Sequence, residues 1–212
     1  RLVDESGTTN YTYNTLNRQI NEAKNIDGIA EVKNIARTYN AAGQLETLTD
    51  AAGRVLNYTY NNRGLLETVN YNDIVLARYT YNSVGKPHIT TFGNGVVTTN
   101  TYDSLQRVTA IETVNALSTL LFKQTYSYDP VANRTQMVET RLSPSYQEGA
   151  QGELPSYTTA TTTYEYDGID QLTGVDYMDV NGAGNDLTYT YDRYGNRTTL
   201  TTPTASASYT YT

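Results

Sequence analysis

One recurring phrase limits what this chain can fold into. Tyr58-Thr59-Tyr60-Asn61-Asn62-Arg63-Gly64-Leu65 returns as Tyr79-Thr80-Tyr81-Asn82-Ser83-Val84-Gly85-Lys86. It returns again as Tyr189-Thr190-Tyr191-Asp192-Arg193-Tyr194-Gly195-Asn196-Arg197. The template is Tyr-x-Tyr, then Asp or Asn, two free positions, Gly, a basic residue and an apolar one. Each copy of such a repeat is a supersecondary unit that covers its apolar face only against its neighbours. The second tyrosine of each copy sets the register: Tyr13, Tyr39, Tyr60, Tyr81, Tyr102, Tyr128, Tyr166, Tyr191 and Tyr211. The spacings are 26, 21, 21, 21, 26, 38, 25 and 20 residues, a base period of 21 with insertions. This predicts a single array of about nine repeats over residues 1–212, a piece of a longer repeat protein. The copies are uneven. Residues 37–45 lack the first tyrosine, residues 100–108 lack that tyrosine and the glycine, and residues 49–55 are a half-period copy with only the turn.

The phrase encodes a β-hairpin. Two tyrosines two residues apart share one face of a strand. Asp or Asn followed three residues later by Gly matches a type I turn, with glycine at positive φ joining two twisted strands. Gly64, Gly85 and Gly195 hold that place. If Asn61 pairs with Leu65, Tyr60 lies opposite Leu66. The same count sets Tyr39 opposite Leu45, Tyr81 opposite Pro87, Tyr102 opposite Val108 and Tyr166 opposite Leu172. These partners are apolar and the intervening Thr59, Thr80 and Thr190 are polar, which predicts a packed Tyr/Leu face and a wetter Thr/Arg face. Two copies insert an asparagine before the arginine, at 132–135 and 195–198, and predict turns one residue longer. Phe92-Gly93-Asn94-Gly95 is another hairpin signal. Residues 30–37 read as strand. Residues 141–160, with Pro144, Gly149, Gly152 and Pro155, read as a long surface loop.

Composition narrows the function classes. The 21 tyrosines stand against 2 phenylalanines and no tryptophan, and strand-favouring threonine is abundant. With no cysteine, disulfides and thiolate metal sites are excluded. A net charge of −7 argues against non-specific nucleic-acid binding. No apolar run approaches the ~18 residues of a membrane span. Residues 1–5 are not a signal peptide, so export would need a signal upstream.

Catalytic and ligand chemistry find little purchase. The single histidine, His88, has no nucleophile motif around it, so the chain reads as a non-enzyme without cofactors. Asp103, Asp129, Asp167 and Asp192 recur with the repeat and read as turn formers, whereas an active-site acid is singular. Residues 179–186 resemble a Ca²⁺ loop, but Ala183 takes a ligand position and no glutamate closes it. They read as a plain loop, with no metal. Arg54, Arg63, Arg107, Arg134 and Arg197 are expected to cover tyrosine rings or pair with turn carboxylates. Tyrosines among asparagine and threonine also suit stacking on sugars, which leaves a glycan-binding alternative.

The phrase resembles that of the YD-repeat or Rhs-repeat family. Its signature falls here on Tyr58, Tyr60, Gly64, Tyr79, Tyr81, Gly85, Tyr102, Asp103, Arg107, Tyr126, Tyr128, Asp129 and Arg134. It continues on Tyr164, Tyr166, Asp167, Tyr189, Tyr191, Asp192, Gly195 and Arg197. The resemblance implies an all-β chain of tandem antiparallel hairpins, forming a spiralling curved sheet that is part of a hollow β-shell. In Rhs toxins and insecticidal toxin complexes such a shell encloses a toxic domain. In teneurins it belongs to an adhesion receptor. The implied role is a scaffold segment of a secreted or surface bacterial protein. Its partners would be neighbouring repeats and an enclosed toxin, with surface adhesion or carbohydrate binding as the competing role. The self-cleavage segment of the toxin-bearing members has no match here.

Overall fold

The computed structural model describes residues 2–4, 7–29, 31–146, 154–178 and 186–211. The described residues are all-β, with antiparallel strands and no helix. They form two compact units, Arg1–Gly95 and Val96–Thr212.

In the first unit each strand pairs with the next in sequence. A short β1 (Leu2–Asp4) lies on β2 (Gly7–Tyr13). β2 forms a phrase hairpin with β3 (Gln19–Ile26), and β4 (Lys33–Tyr39) forms one with β5 (Leu45–Thr49). β6 (Val55–Tyr60) and β7 (Leu66–Tyr71) make the third, and β8 (Ile74–Tyr81) and β9 (Pro87–Phe92) the fourth. The returns between hairpins also pair.

The second unit repeats the scheme. Its phrase hairpins are β10 (Val97–Tyr102) with β11 (Val108–Val114) and β12 (Leu120–Tyr128) with β13 (Arg134–Leu142). Then come β14 (Tyr157–Tyr166) with β15 (Leu172–Met178) and β16 (Leu187–Tyr191) with β17 (Arg197–Thr201). β18 (Ser206–Ser208) closes the row.

Every phrase folds alike. The five pairs read from the sequence occur: Tyr39 with Leu45, Tyr60 with Leu66, Tyr81 with Pro87, Tyr102 with Val108 and Tyr166 with Leu172. At the third turn the Asn61 N–H donates to the Leu65 carbonyl and the Gly64 N–H to the Asn61 carbonyl, both at 2.9 Å. The Asn61 Oδ1 accepts from the N–H groups of Arg63 and Leu65 at 2.9 and 3.1 Å. The side chain thus occupies two donors that the turn would otherwise leave to water. Gly64 has φ +74° and Gly85 +87°. The left-handed place survives without glycine, at Asn17, Gln106, Ala132 and Asp170, with φ between 58° and 79°. The copy at 100–108 therefore keeps its turn.

A second irregularity recurs just outside each turn. The register slips between the second tyrosine and the residue before it in β2, β4, β6, β10, β12, β14 and β16, and between Tyr79 and Tyr81 in β8. Such bulges bend a strand and raise its twist. Each phrase therefore builds curvature into its hairpin.

Three expectations need correction. The loop read at 141–160 is shorter, because Arg141 and Leu142 end β13 and pair with Thr158 and Tyr157 at the start of β14. The turns at 129–133 and 192–196 are no longer than the rest: the Asp129 N–H donates to the Asn133 carbonyl at 3.0 Å, and the Asp192 N–H to the Asn196 carbonyl at 2.9 Å. Asn133 and Asn196 fill the fifth turn position, where each amide donates to the turn's own carboxylate at 3.1 and 3.0 Å. Arg134 and Arg197 consequently pair across from Tyr128 and Tyr191. The Tyr/Leu face is the less exposed of the two, as read from the sequence, since in β6, β8 and β16 the phrase tyrosines are half-buried and Thr59, Thr80 and Thr190 are exposed, but it is not a packed core. The buried apolar side chains are Ala77 and Val175, and no large side chain is fully buried among the described residues. On the threonine side, Thr59 and Thr68 share a hydrogen bond at 2.7 Å and Thr68 is buried. Each unit is a single hydrogen-bonded layer, so most of its phrase tyrosines are half-buried by neighbours within that layer, while Tyr13 and Tyr211 are exposed.

Candidate functional site

The phrase residues converge on two features, a ladder of tyrosine hydroxyls and a row of turns. In the first unit Tyr39 donates its hydroxyl to the Gln19 carbonyl at 2.7 Å, Tyr60 to that of Leu45 at 2.8 Å and Tyr81 to that of Leu66 at 2.7 Å. In the second unit Tyr128 donates to Val108 at 2.8 Å, Tyr166 to Arg134 at 3.0 Å and Tyr191 to Leu172 at 2.8 Å. The acceptor is each time the residue paired with the second tyrosine of the preceding hairpin. It lies at the bulge, where the strand ladder is interrupted. The second tyrosine is therefore a strut between successive hairpins. Burial pushes the hydroxyls of Tyr60, Tyr81 and Tyr166 above the ordinary tyrosine range.

Consecutive turns also touch. In the first unit the Gln44 side chain donates to the Gly64 carbonyl at 2.7 Å, and Arg63 donates to the Ser83 and Asn82 carbonyls at 3.1 Å. Arg18 lies so close to Gly43 that an added Cβ would meet its Nη1 at 2.2 Å. In the second unit Arg107 donates to the Asp129 carbonyl at 3.1 Å and Asn133 to the Asp170 carboxylate at 2.9 Å. Each phrase turn is thus held by its own Asp or Asn, and several also by a side chain from the turn before.

Arg54, Arg107, Arg134 and Arg197 act as expected from the sequence, whereas Arg63 reaches the carbonyls of the next turn instead. Arg54 and Arg107 pair with Asp50 and Asp103 at 2.7 and 2.6 Å. Arg107 also covers the Tyr128 ring at 4.6 Å. Arg134 lies between the Tyr126 and Tyr164 rings at 4.9 and 5.6 Å. Arg197 lies between those of Tyr189 and Tyr209 at 5.8 and 4.7 Å. The turn carboxylates face their own backbone. The Arg107 N–H, aided by its guanidinium, holds Asp103 below the usual carboxylate range, and the Asn196 amide does the same for Asp192.

The remaining candidates are dispersed. His88 sits half-buried in β9. The Ca²⁺-like loop lies outside the described residues except for Asp186. A hydrogen bond with Asp186 and burial push the Asp176 carboxyl up. Among the described residues no group of three or more acids and histidines is arranged to hold a metal. No helix among them is long and apolar enough to cross a membrane.

Fold and phrase together define an antiparallel hairpin-repeat protein. The particular lineage follows from comparison: the Teneurin YD-shell family model matches residues 2–116, and the chain belongs to that family. A structure of TcdB2-TccC3 without its hypervariable C-terminal region superposes with a TM-score of 0.60 at 19% identity. It covers 94% of this chain, which spans 12% of that one. A second structure, of TcdB2-TccC3, gives 0.57 at 19% identity over 90% of this chain and 12% of that one. At this identity the likeness is one of fold. No curated protein matches.

Proposed function

We propose that this chain is a stretch of wall in a YD-repeat shell, one array across both units, that encloses a toxin or other cargo domain of a secreted or surface bacterial protein. The observation that carries the reading is the layer itself. Hairpins are stapled to their neighbours by tyrosine hydroxyls and by turn contacts, while among the described residues no core gathers on either face. Such a layer suits a barrier rather than a reaction centre. Asp103, Asp129, Asp167 and Asp192 close their own turns and Arg107, Arg134 and Arg197 stack on tyrosines, so both sets are engaged in structure. Family membership and the TcdB2-TccC3 likeness support the same reading.

The test is protease protection in the full-length parent. The enclosed domain should resist digestion while the shell is intact and be cut once urea opens it. Cutting at equal rates in both states would remove the enclosure reading. Selective sugar binding on a glycan array by this fragment would favour adhesion instead.

A further inference from the structure

The two turn rows carry opposite charge. The four phrase turns of the first unit span residues 14–18, 40–44, 61–65 and 82–86 and hold Arg18, Arg63 and Lys86 with no acid, a net of +3. Those of the second unit span residues 103–107, 129–133, 167–171 and 192–196. They hold five aspartates against Arg107 and Arg193, a net of −3. The turn-opening residue follows the same division. It is Asn14, Asn40, Asn61 and Asn82 in the first unit, and Asp103, Asp129, Asp167 and Asp192 in the second.

Both rows also expose apolar side chains at the third turn position. Leu16 is 69% exposed and Val84 59% in the first unit; Leu105 is 67%, Val131 64%, Ile169 74% and Tyr194 71% exposed in the second. In a type I turn this side chain projects away from the strands. Two strands per repeat set successive turns about 10 Å apart in either row. An apolar spine edged with charge suits a protein contact better than water.

We propose that the acidic turn row of Val96–Thr212 docks on the basic turn row of Arg1–Gly95 in a second copy of this chain. Charge complementarity selects the occupant, since like rows repel and opposite rows attract. The shared repeat lets the apolar residues of one row alternate with those of the other. The inference does not depend on the shell reading, because it concerns the edges of the layers rather than what lies behind them.

The experiment exchanges charge while keeping the turn-closing side-chain oxygen, because asparagine and aspartate open the same turn in the two units. D103N, D129N and D192N give up the bonds of the second carboxylate oxygen to Arg107, Asn133 and Asn196. One variant carries N14D, N40D, N61D and N82D, which takes its first row to −1. The other carries D103N, D129N, D167N and D192N, which takes its second row to +1. Circular dichroism establishes that each variant folds. Sedimentation velocity should show the unaltered chain associating at low salt, at least about tenfold more weakly near 0.5 M salt. Each variant alone should be monomeric, because both of its rows then carry the same sign. Mixed, they should form a 1:1 pair through the two rows left unaltered. An unaltered chain that stays monomeric at about 100 μM, a lone variant that still self-associates, or a mixture that stays monomeric would each overturn the proposal.

Discussion

The two units solve the same geometric problem with different residues. The first opens its phrase turns with asparagine and fills the left-handed place with Gly43, Gly64 and Gly85 after an initial Asn17. The second opens them with aspartate and fills that place with Gln106, Ala132 and Asp170 before ending on Gly195. Across from the tyrosine the first unit sets Gln19, Leu45, Leu66 and Pro87, and the second sets Val108, Arg134, Leu172 and Arg197. The tyrosine struts are the same in both. What the phrase conserves physically is a hydroxyl reaching the previous bulge and a turn closed by a side-chain oxygen. The residue opposite the tyrosine is free to be apolar, an uncharged amide such as Gln19, or a stacking cation.

The strongest challenge to that equivalence is truncation of a strut in each unit. Tyr81→Ala and Tyr128→Ala should each cost roughly 2–4 kcal/mol, below the loss for a fully buried aromatic because these rings are half-exposed. Tyr128 should lie at the upper end, since it also loses the Arg107 stack. Denaturant unfolding reads both. A loss under about 1 kcal/mol at either site would show that the unit is held otherwise.

The turns offer a smaller, signed comparison. Gly64→Val in the first unit should destabilise by roughly 1–2 kcal/mol, because a β-branched residue resists φ +74°. Ala132→Gly in the second should stabilise by about 0.5–1 kcal/mol, because it relieves alanine at φ +79°. Two changes of the same sign in thermal melts would break the claim that these positions are equivalent.

Acid should then separate the units. Asp103 and Asp192 have folded values below their unfolded ones, owing to the Arg107 N–H and the Asn196 amide. Their stabilisation is fully present above the ordinary aspartate value of about 3.9 and fades as pH falls through the folded value. Hydrogen exchange below about pH 4 should show amides at 103–107 and 192–196 losing protection before those at 61–65 and 82–86, whose turns open with asparagine. The return turn of Asp50, held low by the Arg54 N–H, should behave like the aspartate turns. Uniform loss across all turns would remove the distinction.

Much of this was legible in the sequence, for a physical reason. Asp or Asn followed by Gly three residues on carries its own stereochemistry, and the distance from tyrosine to partner is fixed by the turn, so pairs such as Tyr60 with Leu66 could be counted. The left-handed Gln106 and Ala132 were not legible, because the turn imposes a conformation that those residues do not prefer. The turn at 115–118, closed by Asn115 with Ser118 at φ 64°, escaped for the same reason. Arg134 and Arg197 were misjudged because asparagine at the fifth turn position looked like an insertion. Counting six residues from Tyr128 and Tyr191 would have placed them. The struts left no pattern in side-chain chemistry, since their acceptors are backbone carbonyls. Register alone could have found them, because each acceptor lies six residues after a second tyrosine.

The central claim is that the second tyrosine of the phrase, not the first, links one hairpin to the next. Tyr58 and Tyr60 lie two residues apart on β6, and Tyr60 donates to the Leu45 carbonyl. Removing only the hydroxyl separates their roles. By equilibrium unfolding, Tyr60→Phe should cost about 1 kcal/mol, the net worth of one hydrogen bond, while Tyr58→Phe should leave stability unchanged within about 0.3 kcal/mol. Equal effects at the two positions, or a larger one at Tyr58, would contradict the account.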